Sequence, residues 1–163
     1  MQHDYRRTQV QSQTWYNAND IAMPAELTLT ENQMRQMIAH AQAALPNEAC
    51  GLLGGKSGRV QAVYSGANAE HSPVRYRMVP QEQLLAMDAI ELAGGDLLGI
   101  FHSHPEGQPV PSATDIAQAY YPDAVYIILA RPRSGKWKMH GYNLKNGRSQ
   151  RVVLQVEPEP ATG

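Results

Sequence analysis

The sequence predicts one α/β domain, a central mixed sheet flanked by about three helices. Three observations carry this. Apolar residues recur at helical spacing in two stretches, 30–45 and 80–92. Two short apolar runs, Leu97-Leu98-Gly99-Ile100-Phe101 and Val125-Tyr126-Ile127-Ile128-Leu129, have the length and composition of buried strands. Turn signals at Gly55-Lys56-Ser57-Gly58 and Asn146-Gly147 stand between strand-like segments. A chain of 163 residues suits one domain with a sizeable core. Its expected bounds are an N-terminal arm over 1–24, a folded domain over 25–156 and a disordered tail over 157–163.

Residues 1–24 are polar, rich in Gln and Asn, and without a period; Trp15 and Tyr16 are the residues that would dock this arm. Leu27-Thr28-Leu29 reads as a short strand. It leads into a helix capped by Thr30, with Gln33 in the reciprocal capping position. Met34, Met37, Ile38, Ala41 and Leu45 share one face of that helix, His40 is expected at its rim, and Pro46 ends it. Glu48 to Gly55 reads as the next strand, with Glu48 and Cys50 on one face. Cys50 to Ser57 nearly spells a phosphate-binding loop. That pattern requires Gly where Cys50 stands and a helix where Arg59 to Tyr64 looks like a strand, so a hairpin turn over Gly55 to Gly58 is the better reading.

A polar loop, Ser65 to Pro73, precedes a brief strand, Tyr76-Arg77-Met78. Pro80 opens a second helix, with Leu84, Leu85, Ala89, Ile90 and Leu92 as its apolar set and Gly94-Gly95 as its end. After the Leu97–Phe101 strand and a proline-rich loop, a third helix runs from Ser112 to about Tyr120 and is stopped by Pro122. Val125–Leu129, Trp137–Tyr142 and Arg151–Val156 complete the sheet. Pattern alone does not order these strands.

Charge and cysteine content exclude several classes. Fourteen basic residues balance 15 acidic ones, and no helix carries a basic stripe, which argues against a nucleic-acid partner. No apolar run approaches the roughly 18 residues of a membrane span. Arg6-Arg7 is not followed by an apolar segment, so it does not read as a twin-arginine signal. The sole cysteine, Cys50, excludes an intrachain disulfide and a multi-cysteine zinc site, and it fits a cytoplasmic location.

The chemistry concentrates between Gly99 and Asp115. His102 and His104 stand two apart at the end of an apolar strand and so point to one face. Asp115, in the first turn of the following helix, is placed to return to the same point. Two imidazoles and one carboxylate would hold Zn²⁺ and leave one tetrahedral position open, as in catalytic rather than structural sites. The competing reading of Ser112-x-x-Asp115 is a helix capping box.

His102-Ser103-His104-Pro105 continuing to Pro111-Ser112-x-x-Asp115, with Glu48 upstream in Pro46-Asn47-Glu48-Ala49-Cys50-Gly51-Leu52-Leu53-Gly54, resembles the signature of the JAMM (MPN-type) metalloprotease family. The resemblance spans about Leu27 to Val156, with no expected position substituted. It implies an MPN fold related to the cytidine-deaminase architecture. It also implies metal ligands His102, His104 and Asp115, proton transfer between water and leaving amine by Glu48, and a hydrogen bond from Ser112 to the oxyanion. The compact length is similar to that of stand-alone prokaryotic members acting on ubiquitin-like or sulfur-carrier proteins. The expected activity is therefore a zinc-dependent peptidase or isopeptidase cutting at a Gly-Gly C-terminus, with the extended tail adding to an exposed strand edge. The oligomeric state is not legible. The alternatives are a zinc hydrolase of another peptide, such as a cell-wall crosslink or phage-tail protein, and a non-catalytic MPN scaffold. A base deaminase is disfavoured, because its His-x-Glu and Pro-Cys-x-x-Cys elements are missing.

Overall fold

The computed structural model describes residues 23–133 and 135–162. The expected arm therefore lies outside the described residues, apart from Met23 and Pro24, and so do Trp15 and Tyr16. Within the described residues the elements run β1 (Glu26–Thr30), α1 (Glu31–Ala44), β2 (Cys50–Lys56), β3 (Arg59–Gly66), α2 (Pro80–Leu92), β4 (Asp96–His104), α3 (Ala113–Ala117), β5 (Val125–Ala130), β6 (Lys138–Lys145) and β7 (Arg148–Glu157). No helix among these residues is long and apolar enough to cross a membrane.

The mixed sheet and three helices match the expected α/β class, but the sheet is not an open layer. It closes into a barrel in the order β1-β3-β2-β4-β5-β6-β7. Closure depends on β1, which pairs in parallel with β7 from Glu26↔Val153 to Thr30↔Glu157 and touches β3 at Thr28↔Arg59. The alternation of β1 drives this: Leu27 and Leu29 are 1% exposed inside, while Thr28 between them is half-buried. An exposed edge for a pairing peptide is correspondingly scarce. β3 is the strand least covered by a strand neighbour, and α1 lies along it. There Gln33 Nε2 donates to the Val60 carbonyl, and His40 Nε2 lies 2.9 Å from the Gly66 carbonyl. His40 is thus a backbone clamp at the helix rim.

Both faces of the sheet are apolar, because the central strands carry side chains to two cores. Phe101, Val125, Ile127, Leu129, Leu53 and Met37 fill one of them. Ile100, Tyr126, Ile128, Cys50, Leu52 and Ile90 form the other, beneath α2. β5 is buried at every position, as a strand between parallel β4 and antiparallel β6 must be. The predicted hairpin turns are present: Ser57 and Gly58 have φ of 52° and 72°, and Asn146 and Gly147 have φ of 54° and 71°.

Four local expectations are corrected. Glu48 and Ala49 precede β2, which starts at Cys50, because the Ala49 N–H bonds the Ser103 hydroxyl rather than a ladder carbonyl. Tyr76-Arg77-Met78 is a loop with a single bridge, Asn68↔Met78, because the Asn68 side chain takes the backbone groups a strand partner would use. On α2 the buried residues are Ala86 and Ile90, while Leu84, Leu85 and Leu92 are 61%, 62% and 89% exposed. Ile90 sets this rotation, since its Cγ1 lies 2.6 Å from where a Cβ on Gly54 would stand. Finally, α3 stops at Ala117, and the Tyr121 N–H donates to the Tyr126 hydroxyl as the chain turns into β5.

Candidate functional site

β4 brings Ile100, His102 and His104 to the α2 side of the sheet. His102, opposite Cys50 on β2 and Ile128 on β5, is fully buried. His104 is the last residue of the strand, and its Nδ1 donates to the Gln108 carbonyl at 2.9 Å. A carbonyl only accepts, so the proton sits on Nδ1 and the Nε2 lone pair faces inward. The loop beyond is tethered where the Tyr142 hydroxyl donates to the Pro109 carbonyl at 2.5 Å. Ser112 then caps α3: its Oγ accepts from the Asp115 N–H at 3.0 Å, and Asp115 Oδ2 accepts from the Ser112 N–H at 2.8 Å.

The capping and metal readings of Asp115 are compatible, since one oxygen serves both. Oδ2 lies 3.2 Å from His102 Nε2 and 3.2 Å from His104 Nε2, and the two Nε2 atoms are 3.1 Å apart. A tetrahedron with arms of about 2.0–2.1 Å has edges of about 3.3 Å, so these atoms have the spacing of three corners around one small divalent ion. The donor set of two imidazoles and a carboxylate suits zinc. The electrostatics agree. Burial alone would raise the Asp115 pKa, but the His102 and His104 nitrogens beside it and the Ser112 amide hold it well below the usual carboxylate range. Burial lowers the His102 pKa against the pull of Asp115. At His104 burial also acts downward, but the bonds to Asp115 and Gln108 outweigh it and its pKa is raised.

Glu48 is the other expected site residue. It is 4% exposed, and its Oε2 has no hydrogen-bond partner among the described residues. A buried carboxylate oxygen without a donor is costly. Burial pushes the Glu48 pKa from 4.5 to about 8, against the lowering by His104 and together with the raising by Asp115. Its backbone is held firmly: the N–H donates to the Ser72 carbonyl at 2.8 Å, and the adjacent Ala49 N–H donates to Ser103 Oγ at 2.8 Å. Such a group can take a proton and return it at neutral pH. Ser112 is exposed, and its hydroxyl accepts in the cap, so its own proton stays available to donate.

Sequence reasoning missed three supporting residues. Tyr76 stacks on His102 with ring centroids 4.4 Å apart and planes 16° apart. Ser103, between the two histidines and fully buried, ties β4 to the Glu48 segment. Asn68 bonds to the Glu48 carbonyl. Their side chains act through partners 20 or more residues away, so no local spacing marks them. Cys50 is buried, and burial followed by the nearby Glu82 and Glu48 charges pushes its thiol up to about 12, which makes it an inert wall residue. A cleft of about 900 Å³ is lined by Tyr76, Arg75, Gln83, Thr114, Tyr121 and Tyr126 among others. None of His102, His104, Asp115, Glu48 and Ser112 lines it, and it meets the site through Tyr76, which stacks on His102.

A family model described as prokaryotic homologs of the JAB domain matches residues 30–142. A desampylase of Haloferax volcanii is 39% identical over 113 residues, covering 65% of this chain and 81% of that protein. A CysO-cysteine peptidase of Mycobacterium tuberculosis is 34% identical over 123 residues, covering 74% of this chain and 84% of that protein. The solution structure of a protein from Desulfitobacterium hafniense superimposes with a TM-score of 0.75 at 39% identity, covering 82% of this chain and 94% of that one.

Proposed function

This chain belongs to the prokaryotic JAB-domain (JAMM/MPN) family, and we propose that within it the protein is a zinc-dependent peptidase. The proposed substrate is the amide bond at the Gly-Gly C-terminus of a ubiquitin-like or sulfur-carrier protein. The names of the relatives, a desampylase and a CysO-cysteine peptidase, support a ubiquitin-like substrate class. The observation that carries the reading is the triangle of ligand atoms 3.1–3.2 Å apart with a buried, unpartnered carboxylate beside it. A scaffold domain would have no use for that unsatisfied oxygen.

His102, His104 and Asp115 would hold the ion, which when bound supplies Lewis acidity and lowers the pKa of water toward about 7. Glu48 accepts the proton of the attacking water on Oε2 and delivers it to the departing amine. The raised pKa of about 8 suits a group that must both take and give a proton near neutrality. Ser112 donates its hydroxyl proton to the oxygen of the carbonyl under attack. The tail lies in the tyrosine-lined cleft rather than on a strand edge, because the barrel leaves little edge free. Glycines let it pass Tyr76 to the ligand face without side chains to exclude.

The test pairs metal content with cleavage of a Gly-Gly-ended carrier protein carrying an amide-linked lysine or cysteine. The expected result is one zinc per chain and release of the amine, with Glu48→Gln keeping the zinc and losing turnover. A Glu48→Gln protein that stays active, or equal cleavage of tails ending in bulky residues, overturns the assignment. Asp115→Ala or His104→Ala with unchanged zinc content refutes the ligand set.

A further inference from the structure

We propose that Asn68 is a positioning residue that sets Glu48 and the His102-backing ring of Tyr76 relative to one another. Asn68 is 9% exposed. Its Nδ2 donates to the Glu48 carbonyl at 3.1 Å and to the Arg75 carbonyl at 2.9 Å. Its Oδ1 accepts from the Glu70 N–H at 3.0 Å and from the Arg77 N–H at 3.1 Å. A carboxamide has two donor hydrogens and two acceptor lone pairs, so its capacity is fully used, and every partner is backbone. Three of those partners are in the loop around Tyr76, and the fourth belongs to Glu48. Among the described residues no other side chain hydrogen-bonds both segments.

The base of the loop is closed by the Ala69 N–H to Arg77 carbonyl and Val79 N–H to Ala67 carbonyl bonds and by buried Met78, while most of its length is open to solvent. It carries one strand bridge, Asn68↔Met78, and Glu70, His71, Pro73, Val74, Arg75 and Arg77 are exposed. Yet its Tyr76 ring is what rests against His102, whose Nδ1 has no hydrogen-bond partner among the described residues. A metal-ligating histidine usually has that second nitrogen held by a carbonyl or carboxylate. Here the stacked ring takes over the orienting role, and Asn68 fixes the peptides on both sides of that ring. The same amide pins the carbonyl of Glu48, with the Glu48 N–H to Ser72 carbonyl bond of 2.8 Å as the second tie between the segments. One side chain thereby couples the proton carrier to the orientation of a ligand. The turnover and cobalt parts of the test rest on the zinc-hydrolase reading, and the exchange part does not.

The variants are Asn68→Ala, Asn68→Asp, Tyr76→Phe and Tyr76→Leu, each checked for folding by circular dichroism. Asn68→Asp keeps an acceptor for the Glu70 and Arg77 amides but cannot donate to the Glu48 carbonyl. Three readouts apply: amide hydrogen exchange of the metal-free protein, the visible spectrum with Co²⁺ added, and kcat and KM on a Gly-Gly-ended carrier with an aminocoumarin amide. Asn68→Ala is expected to speed exchange at Glu48, Glu70 and Arg77, to alter the cobalt bands, and to lower kcat about 10–100-fold with KM within about threefold. Asn68→Asp is expected to leave Glu70 and Arg77 protected, with a similar loss of kcat. Tyr76→Phe should keep the wild-type cobalt bands, and Tyr76→Leu should change them. Wild-type exchange at Glu48, Glu70 and Arg77 in a folded Asn68→Ala protein overturns the proposal. So does a kcat loss confined to the charged Asn68→Asp, or a cobalt spectrum insensitive to Tyr76→Leu. If the wild type neither binds Co²⁺ nor turns over the probe, the zinc-hydrolase reading fails, and exchange of the metal-free protein still decides the role of Asn68.

Discussion

Glu48 illustrates how one residue trades stability for chemistry. Its carboxylate oxygen is buried without a donor, and its pKa rises from 4.5 in the unfolded chain to about 8. Between those values the native protein holds a proton that the unfolded chain has already released. The neutral group's contribution is therefore complete below about pH 4.5 and lost as the pH climbs through about 8. Glu48→Gln removes the charge and should be more stable than wild type at pH 8, by a few kcal/mol at most, with little advantage at pH 4.5. Thermal unfolding in a chelator at both pH values measures this, and equal melting temperatures at pH 8 would contradict it. Ser112 gives a second separable case. Ser112→Ala should cost about 1 kcal/mol through the lost cap and about 100-fold in kcat through the lost oxyanion donor, with zinc content unchanged. The five candidate residues were legible because their spacing is local or their neighbours distinctive: His102 and His104 share a strand face, Asp115 follows a cap serine, and Glu48 precedes a glycine-rich strand. Tyr76 was not legible as part of the site. Its relation to His102 exists only after a loop 26 residues upstream is folded over β4.

At the scale of elements, the hairpins and central strands were legible because each depends on its own residues. Positive φ at Ser57-Gly58 and Asn146-Gly147 follows from turn chemistry, and the burial of Val125–Leu129 follows from its composition. The face that α2 buries was not, because it depends on what lies beneath. Ile90 settles onto Gly54, which turns Leu84, Leu85 and Leu92 outward despite their hydrophobicity. A comparable close approach governs β2 and β4. Gly51 pairs with Phe101, and a Cβ at Gly51 would overlap the Phe101 ring carbons, in a core where Phe101 is fully buried. Gly51→Ala is therefore expected to destabilise the protein by about 1–3 kcal/mol through overpacking. Because β4 carries both histidines, it should also weaken zinc uptake. Denaturant unfolding and metal titration of the same variant measure the two effects, and a neutral result in both would mean that the Phe101 ring and the Tyr64 carbonyl, 2.6 Å from the added Cβ, both give way freely.

At the scale of the whole molecule, barrel closure was hidden from the sequence because β1 and β7 meet only after more than a hundred intervening residues have folded. Closure matters for the metal: the two cores on the faces of the sheet contain none of the three ligands except by adjacency, so the fold does not need the ion to exist. Chelation should therefore leave the far-ultraviolet dichroism unchanged and lower the melting temperature. Zinc at about 100 times its dissociation constant adds about 2.7 kcal/mol, equivalent to roughly 5–11 °C in a domain of this size. That difference should shrink in acid. In the metal-free protein His104 donates Nδ1–H to Gln108, and its raised pKa favours a second proton on Nε2 facing Asp115. As the pH falls through that raised value, the metal-free protein gains its own ion pair, while zinc must displace the proton to bind. The melting gap between loaded and chelated protein is thus expected to be widest above the His104 pKa and to close below it. Paired thermal scans from pH 5 to pH 8.5 measure it, and a gap independent of pH would place the metal on a ligand set that does not include His104.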